Sequence, residues 1–149
     1  LEEQIRTAAL VRLPGASARV VTEPVSVLDL VPAVVDFLGL PPHGNFQGRD
    51  HILATDYSAK GRPLLFTIQG ITQEDALLLD DWKLPINLDR RERMLFELTA
   101  DPGERTNLGA SRPEKDAELS VQLYALLHDQ LVYYRERAWK LGWYPPKLP

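Results

Sequence analysis

The chain contains no cysteine. Disulfides, a Cys-ligated zinc and a Cys nucleophile are therefore excluded within its 149 residues. Zero cysteine leaves the compartment open, since many secreted bacterial proteins also lack it. No apolar run approaches the roughly 20 residues that a membrane-spanning helix needs. Basic residues are not in excess: 17 Lys and Arg stand against 21 Asp and Glu, a net charge of -4. That balance gives no footing for nucleic acid or an anionic membrane. There is no internal repeat and no low-complexity tract. The chain starts at Leu1 without Met, as expected where a signal peptide or an earlier domain has been removed. What is present is a globular composition, 44% hydrophobic and 26% charged, in a length that suits one domain with a real core.

The run from Ile5 to Leu13, apolar after Arg6 and closed by Pro14-Gly15, predicts a buried strand. Arg19-Val20-Val21 is a second short extended piece. A helix is expected from Ser26 to Leu40. Ser26 and Asp29 are both good N-cap types, Pro32 is tolerable only in a first turn, Gly39 stops the helix, and Pro41-Pro42 forbids its continuation. Its apolar surface of Leu30, Val31, Val34, Val35, Phe37 and Leu38 calls for burial on more than one side. Residues 41–61 are rich in loop signals. Four strand-like runs follow: Leu64 to Gln69, Asp75 to Asp80, Trp82 to Leu88 and Met94 to Leu98. Their short separations predict an antiparallel meander. Pro85 argues that the third is an edge strand or is bulged there. From Pro113, apolar positions at Leu119, Leu123, Leu126, Leu127, Leu131, Tyr134, Ala138 and Leu141 share one helical face, and Gly142 ends the helix. Acidic residues crowd its first turns and Arg135, Arg137 and Lys140 its last, which complements the helix dipole. The fold class read this way is α+β: a strand, an apolar helix, a meander and a long helix.

The stretch Leu95 to Leu108 combines a strand with an Asp101-Pro102-Gly103-Glu104 turn, in which Gly103 tolerates a positive φ. It resembles the signature near the C-terminus of the sulfatase family, where "E-L-Y-D-L" runs into "D-P-x-E-x-x-N-L"; Phe96 and Glu97 stand at the usual Tyr and Asp. Three further segments are similar. Arg12-Leu13-Pro14-Gly15 matches the end of "P-L-I-x-R-x-P-G", with Ala8 at the usual Pro. Pro24 to Pro41 resembles "P-V-S-L-x-D-L-x-P-T-L-L-D-L-A-G-L-P", with Ala33 at the common Thr. Trp82-Lys83-Leu84 is similar to the "W-K-L-I" strand. Their order agrees with a sulfatase from its last core strand to its C-terminus. The resemblance implies an α/β core of mixed sheet followed by a small antiparallel sheet on a long C-terminal helix. Residues 1–61 would be the last strand, helix and loop of that core, and residues 62–149 the C-terminal sheet and helix.

In that family a Cys or Ser followed by x-Pro-x-Arg is oxidised to formylglycine. A divalent cation, calcium above all, held by Asp and Asn or Gln, polarises the sulfate. The nearest match is Ser111-Arg112-Pro113-Glu114-Lys115, with Lys where Arg is required, and Ser111 reads better as a helix cap. Asp80-Asp81, the adjacent acidic pair, reads as a turn. No catalytic residue and no metal ligand is expected in this chain. Arg49 and His51, after Gly48 where the family has "G-x-S-L", are the candidate substrate-binding residues, since Arg holds sulfate or carboxylate bidentately. The bland alternative is that Arg49 ties down a loop and Asp50 caps a short helix. His128 reads as boundary packing, Arg90-Arg91-Glu92-Arg93 as a solvated hairpin loop, and the aromatics Tyr133, Tyr134, Trp139, Trp143 and Tyr144 as a cover for the sheet.

The resemblance implies the C-terminal portion of a sulfuric ester hydrolase of the alkaline phosphatase superfamily. Its partners would be the N-terminal catalytic domain of the same protein and a sulfated small molecule or glycan, with no nucleic acid. Two alternatives stand beside it: a phosphonate or phosphodiester hydrolase or phosphotransferase of the same superfamily, and an interaction module without catalysis.

Overall fold

The computed structural model describes residues 5–15, 17–44, 46–70 and 72–135. Leu64–Gln69 (β1), Gln73–Leu79 (β2) and Trp82–Asn87 (β3) form an antiparallel meander, as their alternating apolar residues predict. The β2–β3 turn is two residues long; Asp80 takes a φ of 52°, which Asp tolerates better than most residues. On its other side β3 meets Glu92–Arg93 (β4) and Phe96–Glu97 (β5). The five strands make one sheet, so the small antiparallel sheet expected from the sequence is present.

Pro85 is where the expectation of an edge strand or a bulge fails. β3 is central, and every residue from Lys83 to Asn87 is buried. Ile86 faces Arg93 and Lys83 faces Phe96, so β4 and β5 keep a single register. The carbonyl of Pro85 accepts from Met94 N. In a strand the N and C=O of one residue point the same way, so the missing Pro N–H also falls on that side. The ladder is interrupted opposite the residue that cannot donate, without a bulge.

Pro113–Arg135 (α2) packs across β2 and β3. Leu119 and Leu123 close a core with Leu77, Leu79, Leu84, Ile86 and Leu95, and Leu126 and Leu127 pack at its margin. Further along, Leu131 and Tyr134 are exposed, and His128 lies on an exposed face rather than at a packing boundary. Ala138, Leu141, Gly142 and the aromatics Trp139, Trp143 and Tyr144 lie outside the described residues. Ser111 does not cap α2 with an accepting oxygen. Its hydroxyl donates to Leu108 O, and Arg112 O takes Asp116 N in the first turn.

Two sequence motifs meet in this unit. Lys83 of Trp82-Lys83-Leu84 is 1% exposed and pairs with Glu104 of Asp101-Pro102-Gly103-Glu104, Nζ to Oε1 at 2.5 Å. The Asp101 carboxylate receives Arg105 N and Thr106 N, and Glu104 N donates to Asp101 O. The positive φ of the turn belongs to Glu104, at 52°, and not to Gly103. Asn107 Oδ1 takes Leu95 N and Gly109 N, as expected of an Asn in a turn, and Leu108 N returns to Leu95 O.

The N-terminal part differs more from expectation. Leu64 is the first strand residue, and residues 6–12 are exposed, Leu10 at 99%. A continuous apolar strand needs neighbours to pair with and cover on both faces, and the described residues supply neither. Arg19-Val20-Val21 is likewise unpaired. The predicted helix is present: a 3-10 turn at Val27–Asp29 leads into Leu30–Phe37 (α1), and Gly39 closes it at a φ of 65°. Ser26 accepts from Leu28 N and Asp29 reaches back to Ser26 N, a capping box. Pro32 and Ala33 are buried, yet Val31, Val34, Phe37 and Leu38 remain exposed.

Candidate functional site

The candidate site lies where α1, the loop after it and the approach to β1 converge. Asp29 follows Leu28 at the start of an apolar helix and is fully buried. Its Oδ2 receives Ser26 N at 2.8 Å and Arg62 Nη1 at 2.7 Å. Its Oδ1 receives Arg49 N at 2.7 Å and Arg62 Nη2 at 2.6 Å. Both oxygens are thus satisfied twice, two of the four bonds coming from one bidentate guanidinium. Burial alone would raise the Asp29 pKa, but the Arg62 fork and the Arg49 and Ser26 N–H groups outweigh it and hold the carboxyl below its usual range. Arg62 shifts upward, chiefly through its bond to Asp29 and against its own burial.

The loop is pressed onto this hub. A Cβ at Gly48 would lie 2.0 Å from Leu28 O and 2.7 Å from Asp29 N, so only glycine allows the backbone so close. Arg19 closes the far end of the loop through Leu53 O and Ala54 O. Tyr57 Oη donates to Pro24 O at 2.8 Å and accepts from Arg62 Nη1 at 3.3 Å. Glu23 accepts Ala59 N, and the carboxylate of Asp80, which with Asp81 forms the β2–β3 turn, accepts Gly61 N.

Arg49 and His51 stand on this anchored segment. Arg49 is held by its backbone, it is half-buried, and among the described residues its guanidinium meets no hydrogen-bond acceptor. His51 opens a 3-10 turn, His51–Leu53; it is exposed, with Nδ1 3.3 Å from Asp50 Oδ1 and its ring 5.8 Å from that of Tyr57. Asp50 precedes that turn without a side-chain cap. His43 lies against Phe46, and Arg93 pairs with Asp116. Sequence reasoning passes over Asp29 and Arg62 as a pair. The available signal is an acid between Leu28 and Leu30, and an Arg between Gly61 and Pro63 at the mouth of an apolar strand. Neither can be buried without a partner.

An open groove of about 540 Å³ lies elsewhere, between the β3–β4 hairpin, Asn107 and Tyr124. Among the described residues no three His, Asp or Glu side chains converge as a cation site. No helix among the described residues is long and apolar enough to cross a membrane.

No protein-family model and no curated protein matches the chain. Solved structures do match. BT4656, solved in complex with its substrate D-glucosamine-2-N,6-O-disulfate, superposes with a TM-score of 0.57 at 21% identity, over 72% of this chain and 24% of that one. BT1596, a 2-O GAG sulfatase, gives 0.51 at 20% identity, over 75% and 26%. BT33336S-sulf, tied to metabolism of multiple glycosaminoglycans by Bacteroides thetaiotaomicron, gives 0.53 at 21%, over 66% and 24%. The chain therefore spans about a quarter of the length of the solved proteins it matches, and its fold is that of a portion of the sulfatases.

Proposed function

We propose that this chain is the C-terminal portion of a sulfatase-like hydrolase whose whole protein cleaves sulfuric esters of a sulfated small molecule or glycan. The observation that carries the reading is the match to BT4656 over 72% of the chain, joined to motifs that the fold uses together. Lys83 and Glu104 of two motifs form one buried pair, and Asp29 of a third anchors the Gly48-Arg49 loop. In this reading residues 1–61 complete the α/β core, residues 62–149 form the supporting sheet and helix, and Arg49 and His51 wall one side of the substrate pocket. The formylglycine and the divalent cation would be supplied by the N-terminal catalytic domain. No step of the chemistry is assigned to the described residues.

The test is the reading frame upstream of Leu1. The proposal expects Cys or Ser in an x-Pro-x-Arg context there, together with early acidic residues able to bind a hard cation. A Thr or Ser nucleophile outside that context would move the protein to phosphorus chemistry. An upstream region with neither, or none at all, would leave a non-catalytic interaction module.

A further inference from the structure

We infer that Asp29 is a positioning residue for Arg49, and that Arg49 binds a second anionic group of the substrate rather than the sulfate that is cleaved. The inference rests on the sulfatase reading above and deepens it. Residues 41–61 form a loop-rich segment with one short 3-10 turn, His51–Leu53, and such a segment ordinarily holds its side chains loosely. In this loop the backbone N–H of Arg49 is fixed by a carboxylate with no exposure, that carboxylate is fixed by Arg62, and Gly48 sits against Leu28 O. Two charges have been taken out of water to hold this point, which is costly compared with a neutral or apolar contact. The result is a rigid backbone under a guanidinium that has no acceptor among the described residues. Fixing the base of a long side chain in advance lowers the ordering cost when it grips a planar or tetrahedral anion. The nucleophile and the cation lie outside these residues in the proposed reading, and the cleaved ester must sit on them. An anion on Arg49 is then a different one: a further sulfate or a carboxylate on the same sugar. Arg49 would thereby favour doubly charged saccharides over simple sulfate monoesters.

The experiment uses the protein extended to its natural upstream sequence. Two probes are compared, D-glucosamine-2-N,6-O-disulfate and an aryl monosulfate, by steady-state hydrolysis and by calorimetric binding. Arg49→Ala should lower the ratio of kcat/KM for the disulfate over that for the monosulfate at least tenfold, through KM. Arg49→Lys should restore part of it. Asp29→Asn and Gly48→Ala, which alter no group that touches ligand, should lower the same ratio. A purely structural defect would reduce the folded fraction and lower both activities equally, leaving the ratio intact. An unchanged ratio in Arg49→Ala, or in every folded Asp29 and Gly48 variant, would overturn the inference while leaving sulfatase activity standing. Disulfate binding that weakens tenfold in Arg49→Ala without hydrolysis of either probe would overturn the sulfatase reading and keep the anion site. Neither binding nor hydrolysis by the unmodified protein would overturn both.

Discussion

Two buried ion pairs decide how the least regular parts of this chain are held. Asp29 titrates below its ordinary value in the folded state, so across that range the unfolded chain binds more protons than the folded one. Its contribution is complete above the unfolded carboxyl value of about 3.9 and disappears as pH falls through the lower folded value. Asp29→Asn should therefore cost about 3–5 kcal/mol near neutrality, since it leaves Arg62 buried without its charge partner. The variant should also flatten the acid limb of a stability-against-pH curve measured by urea unfolding; an acid limb as steep as the parent's would contradict this. Glu104→Ala removes a charge-assisted bond to the nearly inaccessible Lys83 and should cost about 1.5–3 kcal/mol, the size of a lost hydrogen bond to a charged group. Gly103→Ala should cost less than about 1 kcal/mol, because the added Cβ meets only the flexible Arg105 side chain at 3.1 Å. Melting curves of the two variants should rank them in that order. The sequence does announce a turn at Asp101-Pro102-Gly103-Glu104 and a bonding role for Asn107. It does not announce that Glu104 takes the positive φ, nor that its side chain pairs with Lys83, 21 positions away.

At the level of elements, legibility follows how local the determining contacts are. The meander and α2 are written in periodicity, and their core residues Leu77, Leu84, Leu119 and Leu123 fall where alternation and helical spacing put them. Pro85 misleads as a sign of an edge: the chain keeps it in a central strand by placing the break in the neighbouring ladder at Met94. The first strand misleads for the opposite reason. Ile5 to Leu13 has the composition of a buried strand, but pairing partners are not a local property. The face of α2 supplies the test. Leu123→Ala, at a site with no exposure, should cost about 2–5 kcal/mol. Leu131→Ala, at 48% exposure, should cost less than about 1 kcal/mol by denaturant unfolding. Equal losses would mean that the core extends along α2 well past Leu127.

Across the whole molecule, the sheet and α2 close a core, while the N-terminal part carries Leu10, Val20, Val27, Val31, Phe37 and Leu38 on its surface. Contiguous apolar surface of several hundred Å² commonly marks a missing partner. The 149-residue chain alone should therefore self-associate or bind a hydrophobic dye, and a monodisperse monomer without dye binding would count against that. The sequence motifs point to the same family as the fold, and the fold agrees over about three quarters of the chain with about a quarter of the length of those proteins. The candidate site is not legible to the same degree: Arg49 and His51 stand out in a loop, whereas the Asp29–Arg62 pair beneath Arg49 joins residues 33 positions apart. The most direct test of the account is release of inorganic sulfate from an aryl sulfate, by the chain alone and by the chain extended through its upstream sequence. The extended protein should release sulfate, and the 149 residues alone should release none above background. Turnover by the isolated chain that survives purification, or none by the extended protein, would contradict it.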